Sequence, residues 1–300
     1  MLSVSDVFIG MGLPALVGVV LFFEARGEFA DSATRYGGYS LDGAIAVGLG
    51  FLLGYCGLNK SAWFPIKEPT HWLFLGTVAI MPAAVAHQFL WRSDWLWRAA
   101  SLIILAVAIG GIFSLLADSD WTIAAKITWG IAAWIAAAIM TVALEFTLRL
   151  APYSSHKDFA ASGALAIVSG LAAGVIGMSG SQTYGQIAAV VPAALIPMVL
   201  LSPVTGTRII SAHVAPLYVL LVDGMLLCAY LYVDLTPLNA ILLFLSPLGL
   251  LADLLPVIRK RRARQIVIAQ LLTVTIPAGT AFALALFKFV HEMSGEFGAY

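Results

Sequence analysis

One carboxylate interrupts a long apolar stretch of the chain. Asp223 lies near the centre of HVAPLYVLLVDGMLLCAYLYV. A charged Asp at the centre of a membrane helix costs about 2.5–3.5 kcal/mol on insertion scales, so it faces the interior of a bundle and finds a partner, or stays protonated. Asp223 is therefore a candidate to bind a proton, a cation or a cationic solute. The alternative is structural, with Asp223 making one polar contact that holds two helices together.

A second polar group follows helical spacing near the C-terminus. Gln270, Thr273, Pro277 and Thr280 recur at intervals of three or four and so share one helix face. We predict that Gln270 and Thr273 complete the polar lining of a solute or ion site around Asp223. Polar residues at such positions also serve as contacts between packed helices.

Five further ionisable residues fall at the ends of apolar segments on one predicted side of the membrane: Asp42, His87, Glu145, His213 and Asp253. One interpretation is a cytoplasmic vestibule whose carboxylates and imidazoles bind a cation or relay protons. The other is interfacial residues that pair with nearby Arg and Lys. Haem ligation by His87 and His213 lacks supporting spacing, so no cofactor is predicted.

The polar stretch GMSGSQTYGQ, residues 177–186, contains a G-x-S-G resembling that of rhomboid proteases. Ser179 and His213 would have to meet, but the predicted topology puts about 30 Å of bilayer between them. A turn is the favoured interpretation. A third interpretation is that Gly-rich helix six and Pro-rich helix seven, which flank it, are interrupted near a transport site.

Composition assigns the chain to an all-α, polytopic membrane class. Of its 300 residues, 61% are apolar and 11% are charged, and the mean hydropathy is +0.96. Ten spans are predicted near residues 5–23, 41–58, 72–90, 99–117, 128–147, 159–178, 187–203, 213–233, 236–257 and 266–289. Without clustered Cys or an H-E-x-x-H motif, we predict neither a metal site nor catalytic residues. A net charge of zero gives no support to nucleic-acid binding.

Charge distribution predicts the orientation. With ten spans, twelve of the 16 Lys and Arg residues fall on one side, including the run Arg259 to Arg264. The positive-inside rule then makes that loop cytoplasmic and places both termini outside the inner membrane. Residues 1–300 form a single transmembrane domain in this interpretation, with 1–155 and 156–300 as two inverted five-helix halves.

The leading functional hypothesis is a permease for a small solute or ion, with a membrane-embedded carboxylate at its site. The alternative is a non-catalytic core subunit of a larger membrane assembly. An enzyme acting on lipid is less favoured because the ionisable residues show no catalytic spacing. Expected partners are the lipid bilayer, the solute or ion, and either further copies of the chain or membrane partner subunits.

Overall fold

The computed structural model describes residues 11–28, 42–59, 66–91, 93–116, 121–150, 155–205, 212–255, 258 and 263–297. Within these ranges the chain forms ten helical segments and no strand, which confirms the all-α class. They are α1 (Leu13–Glu28), α2 (Asp42–Leu58), α3 (Pro69–Ala86, continued by His87–Trp91), α4 (Asp94–Ser114), α5 (Ile123–Leu150), α6 (Ser155–Met178), α7 (Gln182–Thr205), α8 (Val214–Tyr218, Val219–Asp223 and Gly224–Tyr232), α9 (Pro237–Leu245 and Ser246–Leu254) and α10 (Ala263–Phe297).

Seven of these helices are long and apolar enough to cross a bilayer: α3, α4, α5, α6, α7, α8 and α10. The chain is therefore a multi-pass membrane protein in contact with lipid. Two more, α2 and α9, are apolar but shorter. Each described segment overlaps one of the ten predicted spans, whereas the inverted-half arrangement stays a prediction.

The breaks in helical geometry lie elsewhere than the sequence predicts. α6 and α7 each run without interruption, so the hypothesis of broken helices on either side of residues 177–186 is wrong. Small residues let neighbouring helices approach α7 closely: a Cβ added to Gly18 of α1 would lie 3.0 Å from the carbonyl oxygen of Ala194. The irregular segments are instead π-helical at His87–Trp91 and Val219–Asp223, and 3₁₀-helical at Ser246–Leu254.

α8 is the central helix. Its apolar window is 83% buried, the largest share among the seven spans, and it packs against α2, α3, α4, α5, α6, α7 and α9. α6 packs on α7 and α10, and the pairs α1–α2, α3–α4 and α4–α5 complete the bundle. A residue on α8 is thus shielded from lipid by helices on most sides.

Glycines set the closest helix contacts. A Cβ on Gly54 of α2 would lie 2.7 Å from Val190 on α7, and one on Gly174 of α6 would lie 2.8 Å from Phe282 on α10. The small-residue pairs Gly50/Gly54 and Gly170/Gly174 therefore act in packing, as such patterns do in membranes.

The stretch at residues 177–186 contains a tight turn. α6 ends at Met178 and α7 begins at Gln182, and between them Gly180 has a φ of 115°, which favours glycine. The hydroxyl of Ser179 donates to the carbonyl of Val175 at 2.8 Å. Ser179 is therefore bonded within its own helix end, and the turn interpretation is confirmed.

Candidate functional site

Asp223 lies at the end of the π-helical segment in the middle of α8 and is 8% exposed. Neither of its carboxyl oxygens has a hydrogen-bond partner among the described residues. Buried polar groups in folded proteins are nearly always paired, so an unpaired buried carboxyl requires an explanation. Single π-helical turns within α-helices also occur frequently at functional sites.

Asp223 is one of the residues that line a cavity of about 340 Å³ between α3, α4, α5, α8 and α9, and both of its carboxyl oxygens are buried in the wall. Apolar side chains form nearly all of the wall, including Leu105, Ile112, Ala133 and Phe244. Besides Asp223, the lining residues with polar side-chain atoms are Trp129 and Tyr230. The described wall therefore combines one carboxyl group with a mainly apolar surface.

The cavity occupies one half of the bundle. On α8 it extends from Val219 to Tyr230, and its other lining residues include Trp129 near the start of α5 and Pro237 at the start of α9. We call this end, where α8 finishes and α9 begins, the outer end, and the opposite one the inner end. The inner part of α8, Val214–Tyr218, is fully buried, so packing closes the bundle between the cavity and the inner end.

A second polar cluster lies at the inner end. The Nδ1 of His87 and the Nε2 of His213 are 2.9 Å apart and share a hydrogen bond, although the residues are 126 positions apart in sequence. Trp97 packs edge-on to the His213 ring, with centroids 4.9 Å apart, and is 1% exposed. The Trp97 indole therefore lies inside the bundle.

Charged side chains extend this cluster toward the surface. Glu145 on α5 is 1% exposed and accepts from Arg98 of α4 at 3.0 Å and from Arg149, one turn further along α5. Arg149 also bonds Asp94 at 2.6 Å, and Asp94 lies 3.6 Å from the His87 Nε2. A continuous chain of groups thus joins His213, His87, Asp94, Arg149 and Glu145.

The structure brings together three of the five residues predicted for a vestibule: His87, Glu145 and His213. His87 and His213 bond each other and contact Trp97, and Glu145 pairs with Arg98 and Arg149. The side chains of Asp42 and Asp253, and all of Arg259 to Arg262, lie outside the described residues. The i, i+4 spacing of Glu145 and Arg149 was a sequence signal for their ion pair.

The histidine pair does not fit haem ligation. Two imidazole nitrogens that bind opposite sides of one haem iron lie about 4 Å apart, with bonds of ~2 Å each. The direct bond of 2.9 Å between His87 and His213 leaves no space for iron between them. Among the described residues, no group of three or more His, Cys, Asp or Glu is placed to hold a metal ion.

Gln270 and Thr273 contact α9 and are absent from the described lining of the Asp223 cavity. The Gln270 amide donates to the carbonyl of Leu250 at 3.0 Å, and the Thr273 hydroxyl lies 2.8 Å from the carbonyl oxygen of Gly249. Both acceptors are in the 3₁₀-helical part of α9, whose backbone the two side chains help to satisfy. The structure gives them a role in holding α10 to α9.

A polar group at the outer end also joins two helices. Tyr55 of α2 shares a hydrogen bond of 3.1 Å with Thr70 of α3, and the Asn59 amide donates to the Tyr55 hydroxyl at 2.8 Å. Thr70 and Tyr55 are both almost completely buried. Since these groups satisfy each other, their geometry indicates a structural contact.

Comparison with protein-family models, with curated proteins and with solved structures finds no match to this chain. The geometry of Asp223 and its cavity therefore carries the functional argument.

Proposed function

We propose that the protein is a membrane permease for a small solute or ion, and that the Asp223 cavity is its binding site. The observation that carries the proposal is the unpaired carboxyl: Asp223 is 8% exposed, lacks a hydrogen-bond partner among the described residues and lines a cavity of about 340 Å³. This volume falls in the range of small-molecule sites. A buried polar group without a structural partner is explained if a transported ligand or proton supplies the partner.

The proposal includes ten membrane crossings, with α1, α2 and α9 added to the seven longer spans. Both termini then lie outside the cytoplasmic membrane and the Arg259 to Arg264 loop lies inside it. The cavity would occupy the external half of the membrane, and the cluster of His87, His213 and Glu145 would lie at the cytoplasmic end. In this arrangement the structure is closed toward the cytoplasm by the inner part of α8.

The inner cluster contributes a polar contact between helices that enclose the site. His87 directly follows the α-helical part of α3, His213 precedes α8, and Glu145 links α5 to α4 through Arg98. Alternating access requires the closed end to open, and these bonds are the contacts that would have to separate. Gln270 and Thr273 are left out of the proposed lining because they bond the α9 backbone.

The test is solute flux in proteoliposomes, recorded by solid-supported-membrane electrophysiology and by radiolabelled uptake. The panel consists of alkali cations, amino acids, sugars, carboxylates and organic ammonium ions. We expect flux of at least one class, lost in Asp223→Asn and retained in Glu292→Gln. Glu292 is the matched control because it is an exposed carboxylate whose ion pair, at 3.6 Å, is with Lys288 on the same helix.

Two results would overturn the proposal: no flux for any class, or flux that Asp223→Asn leaves unchanged. Stoichiometric membrane partners in native mass spectrometry, together with absence of flux, would favour the alternative of a core subunit.

A further inference from the structure

The wall of the Asp223 cavity restricts the chemistry of its ligand. The following inference rests on the permease proposal and concerns which solutes the site accepts. In the described part of the lining only Trp129, Asp223 and Tyr230 carry polar side-chain atoms. A sugar or an amino acid needs several convergent donors and acceptors, because each polar group left unpaired in an apolar site costs binding energy. Such solutes are a poor fit here.

Charge restricts the ligand further. Among the described residues Asp223 is the one lining residue with a formal charge, and neither Lys nor Arg lines the cavity. An anion would therefore meet only a carboxyl, whereas a cation would pair with the carboxylate in a low-dielectric enclosure where that attraction is strong. A hydrated metal ion would need several oxygen ligands that the wall does not offer. The charge and the wall together fit a cation with an apolar body.

Aromatic side chains occupy the outer part of the wall. Trp129 on α5 is 58% exposed and Tyr230 on α8 is 42% exposed, although both line the cavity. Ile241 on α9 lines it too and is 55% exposed. The cavity therefore reaches the lipid-facing surface between α5 and α9. Aromatic faces attract organic cations by cation–π interaction, so these residues suit the entry of an amphiphilic cation from the surrounding lipid.

We propose that the Asp223 cavity binds a lipophilic monovalent cation, such as an amine or quaternary ammonium with an apolar body, in exchange for one proton. In the empty site the carboxyl holds its proton, since an isolated carboxylate in an apolar enclosure is costly. When the cation enters, the O–H bond of Asp223 breaks, the proton leaves to water and the carboxylate pairs with the cation. One charge replaces another, and a full cycle moves no net charge across the membrane.

Binding to the protein in lipid nanodiscs tests this inference. The probe is radiolabelled benzyltrimethylammonium, and its neutral isostere is 2,2-dimethyl-1-phenylpropane. We expect saturable binding of the cation, release of one proton per bound cation in weak buffer, and at least about thirtyfold weaker binding in Asp223→Asn, the loss typical of removing one partner of a buried charge pair. Glu292→Gln should bind as the wild type does.

A second variant, which keeps the carboxyl, tests the site even if Asp223→Asn fails to fold. Ile241→Trp places a larger side chain in the opening of the cavity and leaves Asp223 intact, so it should weaken cation binding while a folded elution profile is retained. If Asp223→Asn and Ile241→Trp both bind the cation as tightly as the wild type, the site is wrong.

The outcomes separate this inference from the permease proposal. If the neutral isostere competes as well as the cation, or no proton is released, the ligand class is wrong. If the cation does not bind but another class in the flux panel crosses in an Asp223-dependent way, the permease proposal stands and the ligand class is overturned. If the cation binds with proton release but is not transported, the ligand class stands and the permease proposal fails.

Discussion

Replacing Asp223 with Leu should stabilise the protein, which is the reverse of the usual result for a change in a buried core. Asp223 is 8% exposed and its carboxyl makes no hydrogen bond within the described residues, so the substitution removes no bond. It removes instead a polar group that is buried without a partner. The adjoining cavity of about 340 Å³ gives the Leu side chain room.

The magnitude follows from the cost of an unsatisfied buried polar group, which is about 1–3 kcal/mol. Asp223→Leu should raise the free energy of unfolding by that amount, or the melting temperature by about 2–6 °C for a chain of this size. Asp223→Asn keeps a polar side chain in the same place and should change stability little. The two variants thus separate the effect of side-chain polarity on stability from the effect of side-chain size.

The assay is thermal unfolding of the purified variants in one detergent, followed by tryptophan fluorescence and by the fraction that elutes as a monodisperse peak. A structural role for Asp223, in which it holds two helices together, predicts the opposite sign. Loss of about 1 kcal/mol or more in Asp223→Leu, with Asp223→Asn intermediate, would refute our reading of the site.

Three other substitutions test the packing, and two of them have a matched control variant. Glu145→Gln should lower the free energy of unfolding by about 2 kcal/mol, less than is typical for a fully buried ion pair, because the Arg partners of Glu145 are partly exposed and can return to water. The exposed control Glu292→Gln should change the free energy of unfolding by no more than about 0.5 kcal/mol in the same assay. His213→Ala removes a buried imidazole hydrogen bond and the ring's packing, so we expect a loss of about 2–4 kcal/mol; an unchanged melting curve would contradict the observed pair. Gly249→Ala should destabilise the protein by about 1–3 kcal/mol, because the added Cβ would lie 2.7 Å from the α10 backbone. In the control Gly279→Ala the added Cβ meets open space, so the change should be neutral or stabilising by up to ~1 kcal/mol. Equal effects at the two sites would contradict the close contact between α9 and α10.

Sequence patterns identified the candidate residues but not the residues that they contact in the fold. Asp223 is recognisable because a single carboxylate in a long apolar run is costly wherever the run spans a membrane. His87, Glu145 and His213 were recognisable as residues at the same end of their helices. Their pairing was not, since the contact between His87 and His213 depends on how distant helices pack.

The α10 residues show the same limit. The shared face of Gln270 and Thr273 follows from helical spacing, but the identity of the facing helix does not. They meet the 3₁₀-helical part of α9, which has Pro247 in its first turn, rather than Asp223. The π-helical segment that ends at Asp223 likewise has no composition signal, because its residues are those of an ordinary apolar helix.

The most direct test of the account is chemical access to position 223. Asp223→Cys and Leu221→Cys are made in a background in which Cys56 and Cys228 are replaced by Ala, and each is exposed to 2-aminoethyl methanethiosulfonate, a small cationic thiol reagent. Leu221 is on α8 two residues away, is fully buried and is absent from the described cavity lining. It is therefore a control at nearly the same depth in the membrane that does not face the cavity. We expect rapid modification at position 223 and none at position 221 in the folded protein. No modification at position 223, with full modification after unfolding, would contradict a solute site at Asp223.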